Sequence, residues 1–278
     1  MNTSIVRWVA AAVALVAGTS AYAGTVAPTA LNGKSVLFVV GEKKGANDDG
    51  LVKEYLESRG MKVTMAGVAD PATAAQGKDL VLISSTANPR LLGDRYKKAS
   101  VPVVTWNAYS FGDMDMTGKA LHKDFSVIRE KVFHNANHAA YYAYSVSATK
   151  PINLAAGLPS GIFAPLTFSA GETDPSWGKP ALSADVSAYF EGDPEKAAVF
   201  AYEKGSLMVN DTAAPARRVG LFLGDNSFSI LTDATGPAAQ DPKSNSWFSG
   251  RKLFDASLRW AVSEPDAPTP ATDPAQVQ

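Results

Sequence analysis

The 278-residue chain contains no cysteine, which rules out a thiolate nucleophile, a disulfide framework and any cysteine metal site. Histidine is scarce: His122, His134 and His138 are the only three, and none lies in the second half. An excess of either charge is also missing. The 26 Lys and Arg stand against 27 Asp and Glu, interspersed, so no basic face awaits nucleic acid or an anionic membrane. Past its first residues the chain has nothing close to the roughly 18 consecutive apolar residues a membrane helix needs. The lack of disulfides is tolerable, because a domain of this size buries enough apolar surface to fold without them.

What is present begins with an export signature. Arg7 is followed by the apolar run "WVAAAVALVAG" and by "AYA" at Ala21 to Ala23, the charged, apolar and small-residue regions of a signal peptide. We expect residues 1–23 to be removed, leaving a mature chain that starts near Gly24 in the periplasm or outside the cell, with 25 basic against 27 acidic residues. Residues 24–33 read as a linker. At the other end "SEPDAPTPATDPAQVQ", residues 263–278, holds four prolines and no aromatic residue. It is expected to be a disordered tail, since it cannot bury enough surface to offset the entropy of ordering. The body is residues 34–262, with no internal repeat.

Strand and helix signals alternate along the body. "SVLFVVG" at Ser35 to Gly41 is an apolar run closed by glycine; "DDGLVKEYLESRG" follows, with Leu51, Val52, Tyr55 and Leu56 at helical spacing and a stop at Gly60. "KVTMAG", "DLVLISS" and "VPVVTW" predict three further strands, with a helix over Leu91 to Lys98 before the last. Non-alternating apolar strands joined by short connections point to a parallel sheet covered on both faces. In the second half "YYAYSVSA", "APLTFSA", "ADVSAYFEG", "AAVFAYEKG" and "RRVGLFLG" are strands separated by turn signals such as "EGDPEK", which predicts an antiparallel extension. The last element, "WFSGRKLFDASLRWAV", carries Leu253, Phe254, Ser257, Leu258 and Ala261 on one helical stripe that should lie across the sheet. Phe254, Trp260 and Tyr202 are expected in the core.

Several of these segments carry a resemblance. "SVLFVVG…VKEYLESRGMKVT", "KDLVLISST", "VPVVTWNAYSFGDMDMTG", "KPINLAAGL", "AVFAYEKG" with "APARRVGLFL", and "LFDASLRWA" resemble the class I glutamine amidotransferase-like superfamily, close to the ThuA-like proteins. The resemblance implies a flavodoxin-like three-layer α/β sandwich, mostly parallel, with the antiparallel extension in the second half. In amidotransferases the strand matching Val101 to Trp106 runs into a turn bearing a cysteine. Here the nearest counterparts are Asn107, Ala108 and Tyr109, and no histidine follows late enough to act as general base. The "HP" common before an "I…GL" segment in ThuA-like relatives is Lys150 and Pro151 here. These departures exclude glutaminase chemistry.

Ligands of open α/β sheets bind beyond the carboxyl ends of the strands, where strand order reverses. The loops there are "GEKKGAND" after the first strand and "SSTANPR" after the third. They nominate Glu42, Lys43, Lys44 and Asn47, then Ser84, Ser85, Thr86 and Asn88, flanked by Trp106, Asn107 and Tyr109. Each has a plainer reading. Gly41 and Gly45 lack the "GxxxxGK[ST]" pattern, and Asp48 with Asp49 would repel an anion at the helix start, so no nucleotide or other cofactor is expected. Ser84 and Ser85 can simply satisfy backbone groups at a strand end, and Asn47 fits an N-cap. His134 and His138 stand four apart, and with His122 could form a zinc set, but "NAN" between them disfavours a helix and no "HExxH" is present, so loop histidines and no metal are expected.

Residues 119–138 form the least patterned connection, one long enough to fold over the crevice as a lid. Two function classes remain. One is a non-catalytic exported domain binding a glycan or an envelope protein, with Trp106, Tyr109, Trp177 or Trp247 stacking on sugar rings. The other is a glycan hydrolase using serine or carboxylates, with Glu42, Asp113 or Asp225 as acid or base. No two carboxylates have a recognisable spacing and no nucleophile has a sequence-linked partner, which favours binding.

Overall fold

The structure is a computed structural model, and it describes residues 31–45, 47–128, 140–145, 150–156, 166–169, 174–190, 192–229, 231 and 250–263. The expected signal peptide, most of the linker, the tail beyond residue 263, His134, His138 and Trp247 lie outside these residues.

The apolar run at the start of the body forms β1 (Ser35–Val40), and its alternation builds both faces of the sheet at once. Val36, Phe38 and Val40 enter one apolar cluster, while Leu37 and Val39 enter a second on the opposite face. Helix α1 (Asp49–Ser58) lays Val52 and Leu56 on the first cluster; Leu51, included in the helical stripe read from the sequence, is 45% exposed. Then come β2 (Lys62–Gly67), β3 (Leu80–Ile83), the short α2 (Pro89–Leu92) and β4 (Val103–Thr105). The helix expected over residues 91–98 is only this one turn. Asn88 caps it by accepting from the Arg90 amide at 3.0 Å, Pro89 opens it, and Gly93 ends it with φ 51°.

The second half supplies β5 (Phe125–Val127), β6 (Ala140–Ser145), α3 (Pro151–Ala155), β7 (Leu166–Ser169), β8 (Ser176–Gly178), β9 (Asp185–Phe190), β10 (Asp193–Tyr202), β11 (Arg218–Gly220) and α4 (Gly250–Val262). The strand order is β2-β1-β3-β4-β11-β10-β9-β6-β7, with β8 pairing to β10 and β5 to β8. The first five of these strands are parallel, in the 2-1-3-4-5 order of flavodoxin-like folds. The remainder pair antiparallel. The chain is thus a flavodoxin-like α/β domain with an antiparallel extension. Strands β5 and β8 had no sequence signal, being three residues each with a single turn of the pleat to read.

Helices α1, α3 and α4 cover the first face, and Leu253, Phe254, Leu258 and Ala261 of α4 are buried there as the stripe predicts. The second face is covered by α2, by 3₁₀ turns at Ala72–Ala75 and Ala108–Ser110, and by the segment around Phe111, Met114 and Met116. Phe254, Trp260 and Tyr202 are all buried.

Two arginines fix the far end of β11. Arg218 is fully buried and donates to the carbonyls of Lys97, Ala99, Val101, Ala216 and Arg217, stitching the loop before β4 to β11. Burial pulls its guanidinium down to about 10. Arg217 holds Glu203 with two nitrogens at 2.8 and 2.9 Å, lies 4.5 Å over the Trp260 ring, and donates to the Ser263 carbonyl where α4 ends.

Candidate functional site

At the carboxyl ends of β1, β3, β4 and β11 the described residues enclose a crevice of about 220 Å³ including its open mouth. The loop after β1 and the start of α1 give it Asn47, Asp48, Asp49 and Val52; the loop after β3 gives Ser84, Ser85 and Thr86. The end of β4 gives Trp106, and the loop after β11 gives Leu223, Gly224, Asp225, Asn226 and Phe228. Three carboxylates and no basic side chain line it. Most of that volume is open mouth: the enclosed part is about 10 Å³, room for a single water-sized polar group.

The floor is built around Asp49, which is 3% exposed. Its two carboxylate oxygens each accept a hydroxyl at 2.6 Å, Oδ1 from Ser84 and Oδ2 from Thr86. Thr86 Oγ1 in turn accepts from the Gly41 amide at 2.9 Å, and Ser84 Oγ accepts from the Thr86 amide at 3.2 Å. One carboxylate therefore ties the start of α1 to the loops after β3 and β1. Burial raises Asp49 above its ordinary 3.8, as do the charges of Asp225 and Asp48, against the lowering effect of the two hydroxyls. Asp48 accepts from the Ser229 amide at 2.8 Å, closing the crevice against the loop after β11. The Ser85 hydroxyl oxygen is buried without a hydrogen-bond partner.

Of the residues nominated from the sequence, Asn47, Ser84, Ser85, Thr86, Trp106 and Asp225 line the crevice. The others do not. Glu42, Lys43 and Lys44 are exposed, and Lys43 pairs with Asp70 at 2.8 Å. Asn47 is not the N-cap of α1; it takes φ 51° one residue earlier, and Asp48 occupies the cap position without a side-chain cap bond. Asn107 is 1% exposed, and its amide nitrogen donates to the carbonyls of Ser84 and Ala87 at 3.0 and 2.6 Å. It is a strut between the ends of β4 and β3, not a group facing a ligand. Tyr109 packs on the second face of the sheet, edge-on to Phe125 at 6.4 Å, with Asp113 a few residues on in the same segment.

Among the described residues, the two indoles expected to form an aromatic stacking platform, Trp106 and Trp177, are buried. Trp106 is 3% exposed, with its ring 5.7 Å from Phe38 and 6.1 Å from Phe254 in the core of the first face. Trp177 is likewise buried, with Lys196 5.4 Å over its ring. Burial of these rings follows from the sheet. The residue after β4 continues the strand's alternation and points to the α1 and α4 side, so an indole there packs between Phe38 and Phe254.

His122 lies away from the crevice, exposed and with φ 64°; its Nδ1 is 2.9 Å from the Ser126 hydroxyl. Ser126 is 2% exposed within the β5–β8 pair, so the serine is closed to a substrate. Among the described residues no group of three or more His, Cys, Asp or Glu could hold a metal ion, and no helix is long and apolar enough to cross a membrane. The residues missed from the sequence are Asp48 and Asp49 as crevice lining, with Asn226 and Phe228. Their signal was topological: once "RRVGLFLG" is the fifth parallel strand, its following loop must stand beside the start of α1.

No family model matches the chain, and no curated protein matches it. Solved structures similar to it include PurLQS from Thermotoga maritima, at 11% identity over 82% of this chain and 99% of that one, TM-score 0.43. A glutamine amidotransferase from Thermotoga maritima is similar at 11% identity over 83% and 99%, TM-score 0.39. At that distance the likeness carries nothing about chemistry, and the fold rests on the strand order itself.

Proposed function

We propose that this chain is an exported, non-catalytic binding domain that takes one hydroxyl of a small ligand, such as one sugar unit of a glycan, into the crevice at the carboxyl end of its sheet. The observation that carries the reading is the way the crevice spends its polar groups. Hydroxyls, amides and carboxylates line it, yet among the described lining residues the Ser85 hydroxyl, which has no hydrogen-bond partner, has no base bonded to it. Ser84 is 1% exposed and its proton is committed to Asp49, while the turn after β4 holds Asn107, whose amide nitrogen is given to two carbonyls and whose Oδ1 is buried. The three carboxylates disfavour an anionic ligand and suit one that donates hydrogen bonds.

One feature favours the hydrolase reading: a buried Asp49 with raised proton affinity has the character of a general acid. Its separation from that reading is experimental. The mature protein is screened against a glycan array and, in parallel, a glycosidase and esterase substrate panel. Binding without turnover supports the proposal. Turnover abolished by Asp49→Asn establishes the hydrolase instead, and capture of an envelope protein with no glycan bound replaces the ligand class.

A further inference from the structure

Three side chains in the crevice floor close a ring. Asp49 Oδ1 is 2.6 Å from Ser84 Oγ, Ser84 Oγ is 3.2 Å from Thr86 Oγ1, and Thr86 Oγ1 is 2.6 Å from Asp49 Oδ2. With Asp49 ionised, both hydroxyl protons point at the carboxylate, and the 3.2 Å side of the ring has no proton to fill it. Each hydroxyl oxygen then accepts one backbone amide, from Thr86 and Gly41, and keeps a lone pair unused.

We propose that the Asp49, Ser84 and Thr86 ring is a proton-holding device that makes the crevice responsive to pH. A proton taken from solvent onto Asp49 Oδ2 is donated to Thr86 Oγ1. The Thr86 hydroxyl turns its own proton to Ser84 Oγ, and Ser84 continues to donate to Oδ1. Every oxygen of the ring then both donates and accepts or is otherwise satisfied, and one hydrogen bond is gained without displacing either amide.

The surroundings set the direction: burial first, then the neighbouring charges, favour the proton and outweigh the two hydroxyl bonds to the ionised carboxylate, which oppose it. The charged groups facing Asp49 are Asp48 at its own helix end and Asp225 on the loop after β11, both negative. The loops after β3 and β4 face it with hydroxyls and an indole only. On the loop after β1, Glu42, Lys43 and Lys44 are exposed, and Lys43 is engaged with Asp70. Filling the ring removes one of three negative charges from the crevice, so the device sets the charge a ligand meets there. It rests on the same crevice as the proposed binding function and does not depend on which ligand occupies it.

The sign follows from linkage. Asp49 binds its proton more tightly in the folded chain than in the unfolded one, so its contribution to stability is full below pH 3.8 and is lost as pH rises through its folded value. Asp49→Asn mimics the filled ring, because its amide can donate to Thr86 while its oxygen accepts from Ser84. The test uses ligand-free mature protein, so its outcome is separate from that of any binding screen. Carboxyl-carbon NMR should show Asp49 titrating above 3.8, and the melting temperature of wild type should fall relative to Asp49→Asn as pH rises through that midpoint. An Asp49 that titrates at or below 3.8 overturns the proposal. So does a wild-type-minus-variant difference that stays flat or reverses across the range. If the variant fails to fold, the NMR titration of wild type decides alone.

Discussion

Trp106 and Asn107 are adjacent residues with unlike partners, and both are spoken for by the fold. Trp106→Ala should cost about 3–5 kcal/mol in urea denaturation, the range for truncating a core aromatic, because its ring fills the space between Phe38 and Phe254. Unchanged stability would mean the ring is held for a ligand. Asn107→Ala leaves the Ala87 carbonyl without its donor and takes one of two donors from the Ser84 carbonyl, which keeps the Ala87 amide at 3.1 Å, and should cost about 1–3 kcal/mol for the buried group left without a partner. A ligand-contacting role would instead leave stability intact and weaken binding. The sequence could nominate these residues but not assign their direction. An indole beside a strand end reads equally as platform or core, and only the packing of α4 against β4 decides between them.

At the level of elements, the crevice is a seam between loops that belong to strands adjacent in space and distant in sequence. Gly41 permits the seam. A Cβ there would stand 2.5 Å from the Thr86 carbonyl oxygen, a backbone atom that can yield only by moving the loop after β3. Gly41→Ala should therefore destabilise the protein by roughly 1–3 kcal/mol, the usual cost of overpacking, and should broaden the amide signals of residues 84–86. A neutral substitution would show that the two loops are not closely apposed. The strands themselves were legible: "KVTMAG" is β2 residue for residue, and continuous apolar runs gave β1 and β3 within a residue or two. The α1 stripe was legible too, apart from the exposed Leu51. The part that was not legible depends on neighbours no local pattern reports. Helix α2 is stopped by Gly93 after one turn, and β5 and β8 are three-residue strands that exist through pairing, β5 with β8 and β8 also with β10.

For the molecule as a whole, acid response is set by carboxylates of opposite habit. Asp115 is buried, which by itself would raise it, but hydrogen bonds from Lys97, Thr212 and Asn210 hold it below its ordinary 3.8. Asp79 is lowered chiefly by the Ser35 amide, with the Ser35 hydroxyl and Lys34 adding to it. Their contributions are present above pH 3.8 and are lost as pH falls through their folded values, opposite in sign to Asp49. Asp115→Asn should therefore lower the melting temperature at neutral pH and bring the two proteins together on acidification. A gap that persists or widens in acid would contradict the assignment. Export belongs to this scale as well. Ala23→Arg should leave the precursor uncleaved on a gel, since the cleavage site demands a small residue, and trimming at Gly24 in that variant would refute the signal peptide. Deleting residues 266–278 should leave the melting temperature within error, whereas a loss of several degrees would show that the tail packs on the body.

The central claim is that the crevice at the carboxyl end of the sheet binds a small hydroxylated ligand and performs no reaction on it. Backbone amide NMR of the mature protein, titrated with the sugar that scores highest on the array, tests both halves in one sample. The account predicts saturable shifts centred on residues 84–86, on Asp48 and Asp49, and on residues 224–228, with the sugar unchanged at the end of the titration. Shifts centred elsewhere on the fold, or conversion of the sugar during the titration, would contradict it.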